Sequence, residues 1–244
     1  MSKNKPNRFL LGIVALISVP FGLAVGYGVK AIRSHHLIST YLSSHAVKKL
    51  QIGAGGAKEF DDWLNTDIEP QAGEAYLDAT KPFPIPDGIL SYIFSGQVFE
   101  RLSYPDGLSM LRESHRTLKP GGKIRITTPN LLRLMQLFQD NKTDEQKTYL
   151  EGGLTAEYWP EPLPRTISPA AVILNYEMRS FGRKFLYDPQ TLRQSLEIAG
   201  FKDIKELAPG ESDDPQLAGL DTRHKAAVHV RNDYETMVFE ATRP

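Results

Sequence analysis

The stretch LQIGAGG, residues 50–56, places three glycines in four positions directly after a short apolar run. An acidic residue, Asp67, follows Gly53 by 14 positions and stands behind a second short run. Glycine lets the backbone approach a ligand where a Cβ atom would clash, and an acid at the end of the next strand can accept both hydroxyls of a ribose. These residues together predict a nucleoside-type cofactor at the carboxyl ends of parallel strands.

Short apolar runs alternate with helical patterns along the rest of the chain, which indicates a parallel sheet covered by helices. We predict seven strands, at residues 47–52, 63–68, 74–79, 89–94, 123–128, 201–207 and 235–241. Helices are predicted at 34–46, 105–118 and 131–140, and a last one is capped by Asp188 and ended by Gly200. The aromatic-rich segment at about 141–187 reads as an irregular insertion.

Composition excludes several classes of function. Lys plus Arg equals Asp plus Glu, at 29 each, whereas nucleic-acid-binding proteins usually carry a basic excess. The chain has no cysteine, which excludes disulfides, thiol nucleophiles and cysteine-ligated zinc. The six histidines show no HxxxH or HExxH spacing, so we expect no metal site.

A 21-residue segment without charged side chains, from Phe9 to Val29, precedes the domain. A helix of that length spans roughly 30 Å, the thickness of the bilayer core. A cleaved signal peptide is the alternative, but its apolar region would be about 7–15 residues long and would end at a small-residue cleavage site. We therefore predict a tail and membrane anchor over residues 1–33 and one domain over 34–244.

The glycine spacing discriminates between cofactors. In the dinucleotide-binding pattern G-x-G-x-x-G the third glycine would stand at position 58, which is Lys58. No G-K-[ST] phosphate-binding sequence follows the loop either. A cofactor without phosphates is therefore favoured, and a nicotinamide-dependent Rossmann enzyme is the weakest of the interpretations that we keep.

Four segments in order, LQIGAGG, NTDIEP (65–70), LDATKPFPIPDG (77–88) and LKPGGKIRITTPN (118–130), closely resemble class I S-adenosylmethionine-dependent methyltransferases. More narrowly, the chain looks like small methyltransferase-like proteins encoded among bacterial polysaccharide-synthesis genes. The resemblance runs from about residue 45 to the end and includes GRKFLYDPQTLRQSLEIAGF (182–201). It implies a doubly wound α/β fold with seven strands in the order 3-2-1-4-5-7-6, the last strand antiparallel.

The resemblance also implies which residues bind S-adenosylmethionine. They are Gly53, Ala54 and Gly55 beneath the methionine part, Asp67 at the ribose hydroxyls, Asp78 and Ala79 at the adenine, and Ser95 with its neighbours facing the sulfonium and the acceptor.

The chain departs from this family in the segment SGQVFERL (95–102), where relatives often carry two Glu-His pairs. Gly96, Gln97 and Arg101 stand at three of those four positions, and only Glu100 keeps its acid. Arg183 stands where relatives usually have a histidine, and Gln51 stands where most class I enzymes have an acid. The general base is therefore unassigned, and the candidates for catalysis or acceptor contact are Glu100, Arg183 and Tyr187. A structural role for Glu100 is the alternative.

The resemblance, taken together with the apolar segment, leads us to expect a membrane-anchored enzyme that transfers the sulfonium methyl group to an oxygen of a glycan or related acceptor. The alternative is a non-catalytic, methyltransferase-like module that is tethered at the membrane and helps to assemble polysaccharide machinery. Lys and Arg are nearly balanced on the two sides of the apolar segment, so charge alone does not orient it. Because S-adenosylmethionine is cytoplasmic, we expect the domain on the cytoplasmic side.

Overall fold

The computed structural model describes residues 33–55, 60–153, 166–221 and 234–244. The predicted anchor at residues 9–29 lies outside these ranges. Within them, every helix is too short or too polar to cross a bilayer.

Seven strands form one mixed sheet in the order β3-β2-β1-β4-β5-β7-β6, as predicted. Strands β1 to β5 pair in parallel, and β7 runs antiparallel to both β5 and β6. The strands are Lys49–Ile52 (β1), Leu64–Asp67 (β2), Ala75–Tyr76 (β3), Leu90–Gly96 (β4), Leu118–Pro129 (β5), Lys202–Leu207 (β6) and Thr236–Thr242 (β7). The helices are 33–44 (α1), Tyr104–Thr117 (α2), Leu131–Gln136 (α3), Asp144–Gly153 (α4), Pro169–Arg179 (α5) and Pro189–Ile198 (α6).

The helix ends follow the expected side-chain chemistry. Asp188 caps α6, since its carboxylate accepts a hydrogen bond from the Thr191 N–H at 2.9 Å, and Pro189 occupies the first turn. Ser103 caps α2 in the same way, with Pro105 in the first turn of that helix. These polar side chains satisfy N–H groups that have no partner inside a helix, so they set where each helix begins.

The central strands are buried on both faces, as parallel strands covered by helices usually are. The main core joins residues of the sheet to residues of α2 and α6, among them Leu50, Ile93, Leu111, Ile124, Leu196 and Phe239. This core holds the strands in one register, so their carboxyl ends meet at one edge of the sheet.

The segment at 141–187 differs from the expected irregular insertion, because it contains α4 and α5. Tyr149 of α4 and Ile173 of α5 pack with Leu134 and Tyr234 in a second core. Tyr149, an aromatic residue of this segment, therefore helps to hold α4 and α5 together beside the sheet. Predicted α3 is shorter than expected, and β5 begins at Leu118 and not at residue 123.

Candidate functional site

A pocket of about 440 Å³ opens at the carboxyl ends of β1 to β4. In open α/β sheets, ligands bind at this edge of the sheet. The lining residues come from five loops. They are Ile52, Gly53, Ala54 and Gly55; Asp67 and Ile68; Leu77, Asp78, Ala79 and Thr80; Gly96, Gln97, Val98, Arg101 and Leu102; and Lys184.

The two glycines of the loop after β1 serve different purposes. A Cβ atom on Gly53 would lie 2.1 Å from Val98 Cγ2, so glycine is needed there because the loop packs closely against the end of β4. A Cβ atom on Gly55 would meet no atom of the described residues within 4 Å. Gly55 also has φ +62°, in the left-handed region that favours glycine. The free space that suits the approach of a ligand is therefore at Gly55.

Asp67 joins the end of β2 to the glycine loop. Its Oδ2 accepts a hydrogen bond from the Gly55 N–H at 3.0 Å, and its Oδ1 accepts one from the Glu69 N–H at 2.8 Å. A carboxylate oxygen has two lone pairs, so each oxygen can accept a further bond from a ligand hydroxyl. The Asp67 carboxylate thus shapes the loop and faces the pocket at once.

Asp78 and Ala79 lie after β3, where the sequence predicts the adenine. The Asp78 Oδ1 accepts hydrogen bonds from the Thr80 N–H at 2.9 Å and from the Thr80 hydroxyl at 2.7 Å, which fixes a tight turn. Its Oδ2 forms no hydrogen bond with any described residue, and it is available to a ligand donor. Ala79 is buried but contributes to the pocket wall.

Ser95 is not among the lining residues. It lies inside β4 and is fully buried, and its hydroxyl has no hydrogen-bond partner in the described part of the chain. Its neighbours Gly96, Gln97 and Val98 form the wall at the end of β4 instead. Gln97 is held there because its N–H donates to the Thr127 carbonyl at 2.9 Å and its side-chain amide donates to the Thr236 hydroxyl at 3.3 Å.

Glu100 and Arg183, two of the candidates for catalysis, lie in the protein interior and not on the pocket wall. Glu100 is 1% exposed, and its carboxylate accepts a hydrogen bond from the Thr128 hydroxyl at 3.1 Å. Its other oxygen lies 3.7 Å from Nε of Arg183, and Nη1 of Arg183 lies 2.7 Å from a carboxylate oxygen of Glu177. Burial raises the pKa of the Glu100 carboxyl above its ordinary value. These side chains form a buried ionic network.

Tyr187, the third candidate, is fully buried and packs on Phe99 with ring centroids 4.6 Å apart. Its hydroxyl has no hydrogen-bond partner among the described residues, and burial raises the pKa of the phenol. Tyr187 therefore contributes to packing between the sheet and α2, and it does not line the pocket.

The sequence analysis did not predict two charged lining residues, Arg101 and Lys184, or one member of the ionic network, Glu177. Arg101 was noted only as a departure from the family pattern, although a cation at a position where relatives keep a titratable group was a usable signal. Glu177 lies on α5, in the segment that we expected to be irregular. Burial, the nearby Glu235 carboxylate and a smaller contribution from Glu100 raise the pKa of Glu177 to about 8, against the opposing effect of Arg183.

No group of three or more His, Asp or Glu side chains in the described ranges is arranged to hold a metal ion. Among the described residues, the ionisable groups on the pocket wall are Asp67, Asp78, Arg101 and Lys184. The pocket thus offers acids on the side of β2 and β3 and cations on the side of β4.

No protein-family model and no curated protein sequence matches this chain. Among solved structures, the chain is similar to a methyltransferase from Archaeoglobus fulgidus that depends on S-adenosylmethionine, with 17% identity, 87% of this chain and 94% of that chain covered, and a TM-score of 0.46. A similar enzyme from Mesorhizobium loti shows 16% identity, coverage of 81% and 91%, and a TM-score of 0.46.

A Haemonchus contortus phosphoethanolamine N-methyltransferase, solved with S-adenosylhomocysteine, shows 14% identity and a TM-score of 0.41. The match covers 87% of this chain but only 52% of the Haemonchus chain. All three TM-scores lie below 0.5, so substrate and mechanism do not transfer from these proteins to this chain.

Proposed function

We propose that this protein is a methyltransferase that uses S-adenosylmethionine. The observation that supports this proposal is the pocket itself, where open space at Gly55 lies between the Asp67 carboxylate and the wall formed by the end of β4. A Cβ atom at position 55 would enter that space, so the loop is shaped for a ligand that the backbone approaches closely.

The residues of the pocket fit the parts of this cofactor. The Asp67 carboxylate would accept the ribose hydroxyls, Oδ2 of Asp78 would accept the adenine amino group, and Ala79 would contact the adenine ring. The glycine loop Gly53–Ala54–Gly55 would hold the methionine part. When bound, the cofactor supplies an electrophilic methyl group on its sulfonium.

The acceptor in this proposal is an oxygen of a glycan or related molecule, which approaches over Gly96, Gln97 and Val98. In the described part of the pocket wall no ionisable side chain is left over as a general base, because the two acids hold the cofactor and the other two groups are cations. The protein would then act mainly by aligning donor and acceptor, which is a large contribution to catalysis by itself.

A non-catalytic module that binds the same cofactor is the second candidate. The position of Glu100 and Arg183 favours it, because both side chains that stand in the family's catalytic segments are buried in an ionic network away from the pocket. This protein would then retain the cofactor site and assist polysaccharide assembly at the membrane.

Transfer of a labelled methyl group separates the two candidates. Membranes that contain the full-length protein are incubated with S-adenosylmethionine labelled in its methyl group, and the glycan fraction is then counted. The methyltransferase proposal predicts label in glycans that is lost in Asp67→Ala. Cofactor binding without label in any glycan would establish the non-catalytic module.

We propose that residues 9–29 anchor the chain in a membrane and that the domain faces the cytoplasm. The support is the 21-residue uncharged segment in the sequence and the cytoplasmic location of the cofactor.

A further inference from the structure

Two cations, Arg101 and Lys184, line the pocket beyond the end of β4. In the sheet, β4 is two strands away from β2, which carries Asp67, and three strands away from β3, which precedes Asp78. The cations and the acids therefore stand on opposite sides of the pocket. Both cationic side chains are exposed to solvent.

The backbone fixes the two cations beside each other. The Lys184 and Phe185 N–H groups both donate to the carbonyl of Glu100, at 2.8 and 3.1 Å. The segment with Lys184 is thus bonded directly to the turn that carries Arg101. The two neighbouring side chains of this segment differ in exposure: the Arg183 side chain is 7% exposed, whereas Lys184 is exposed.

The buried, inner pair of side chains, Glu100 and Arg183, has opposite charges. The exposed, outer pair, Arg101 and Lys184, has like charges. On the inner side, Glu100 and Arg183 face each other at 3.7 Å. On the outer side, Arg101 and Lys184 form no ion pair with any described carboxylate. Two cations held at the wall of a cleft give a local positive potential that favours an anion.

We propose that Arg101 and Lys184 bind an anionic group, a phosphate or carboxylate, of the methyl acceptor. This inference rests on the proposed function, because the acids on the opposite side are assigned there to the ribose and the adenine. Arg101 follows Gly96, Gln97 and Val98, the wall over which the acceptor approaches, and the Lys184 N–H is hydrogen-bonded to the same turn. Guanidinium and ammonium groups are the side chains that bind phosphates and carboxylates. The acceptor is therefore an acidic or phosphorylated glycan.

The test is calorimetric titration of inorganic phosphate into the full-length protein, with and without saturating S-adenosylhomocysteine. The wild type is expected to bind phosphate with a dissociation constant of roughly 1 mM, as for a small ligand with few contacts. The double variant Arg101→Gln/Lys184→Gln is expected to bind phosphate at least 10-fold more weakly and S-adenosylhomocysteine within about 2-fold of the wild type, since one charge-assisted contact is worth roughly a factor of ten or more.

The matched control is Arg112→Gln/Lys119→Gln, which removes the same charge at two exposed positions outside the pocket. This control should bind phosphate like the wild type. Equal phosphate binding by wild type and the Arg101/Lys184 double variant, or no binding by the wild type, would overturn the proposal.

The cofactor's own carboxylate is the competing source of negative charge, and 5′-methylthioadenosine, which lacks that carboxylate, distinguishes it. If the double variant loses S-adenosylhomocysteine affinity about 10-fold but keeps 5′-methylthioadenosine affinity, the cations bind the cofactor and the acceptor assignment is wrong. If the wild type binds neither nucleoside while its phosphate binding depends on Arg101 and Lys184, the anion site stands and the methyltransferase proposal fails.

Discussion

Asp67 both holds the glycine loop in place and lines the pocket. Its two carboxylate oxygens hold the Gly55 and Glu69 N–H groups, and both oxygens keep a lone pair for a ligand. Replacement of this one side chain therefore removes a ligand contact and loosens the loop that approaches the ligand. Both effects should weaken binding of the cofactor.

Asp67→Ala is expected to weaken binding of S-adenosylhomocysteine by about 1.5–3 kcal/mol, the range for a hydrogen bond to a charged group. Asp67→Asn should lose less, because its amide oxygen can still accept one backbone N–H group. Calorimetry gives both affinities. A loss under about 0.5 kcal/mol in Asp67→Ala would place the ribose elsewhere.

Gly55→Val is expected to abolish cofactor binding, because the branched side chain would occupy the open space at the loop. The positive φ of Gly55 also makes the variant strained, so a control with the same strain is needed. Gly121→Val is that control, since Gly121 has φ +76° and no atom within 4 Å of a built Cβ, and it does not line the pocket. Equal cofactor affinity in wild type and Gly55→Val would refute the assignment of the loop.

Single residues show where sequence reasoning succeeds and where it fails. Gly53, Asp67 and Asp78 line the pocket because short motifs fix their position at strand ends. Ser95 does not, because β4 runs to Gly96, two residues beyond the predicted end, and Ser95 is still inside the sheet. No sequence feature marks the end of this buried strand. The predicted end of β4 was therefore two residues too early, and Ser95 was assigned to the pocket wall.

At the level of elements, α5 meets the turn after β4 through a buried ionic network. Glu100, Glu177 and Arg183 are all nearly inaccessible to solvent, and Glu235 lies close enough to raise the Glu177 pKa. Burial and the Glu235 carboxylate outweigh the opposing effect of Arg183 on the Glu177 pKa, which favours a protonated Glu177 carboxyl in the folded protein. Only the folded chain brings α5, the turn at residues 99–101 and the segment before β7 together, so the sequence contained no sign of this network.

This network predicts that stability falls as pH rises. The Glu177 pKa is about 8 in the folded protein against an ordinary value of 4.5, so between these values the folded state holds a proton that the unfolded chain has released. The free energy of unfolding should therefore decrease by a few kcal/mol, in order of magnitude, between about pH 5 and pH 8. Urea unfolding at several pH values measures it.

Glu177→Gln is the matched variant, since the amide keeps the shape of the side chain but does not titrate. Its free energy of unfolding should change less between pH 5 and pH 8 than that of the wild type. An identical pH dependence in the two proteins would exclude Glu177 as the titrating group.

At the level of the whole molecule, the sheet order was predictable and the insertion was not. The alternation of apolar runs and helices, with the family resemblance, predicted the order that the structure has. That order brings Gly55, Asp78 and Gln97 to one pocket. The helices α4 and α5 were missed because their apolar residues pack against α3 and the segment before β7, and local spacing does not show such distant partners.

The proposed membrane anchor concerns the whole molecule. Helix α1 is tied to the sheet, since the Ser34 hydroxyl accepts a hydrogen bond from the Tyr76 N–H at 2.7 Å, so the domain begins within a few residues of the predicted anchor. Protease added to intact spheroplasts should leave residues 34–244 undigested, and lysis should expose them. Digestion of the domain before lysis would reject the cytoplasmic orientation.

Titration of the full-length protein with S-adenosylhomocysteine tests the central claim, that the pocket at the ends of β1 to β4 binds a methyl-donor cofactor. We predict one binding event per chain, absent in Gly55→Val and present in Gly121→Val. No binding by the wild type, or equal binding by wild type and Gly55→Val, would contradict the account.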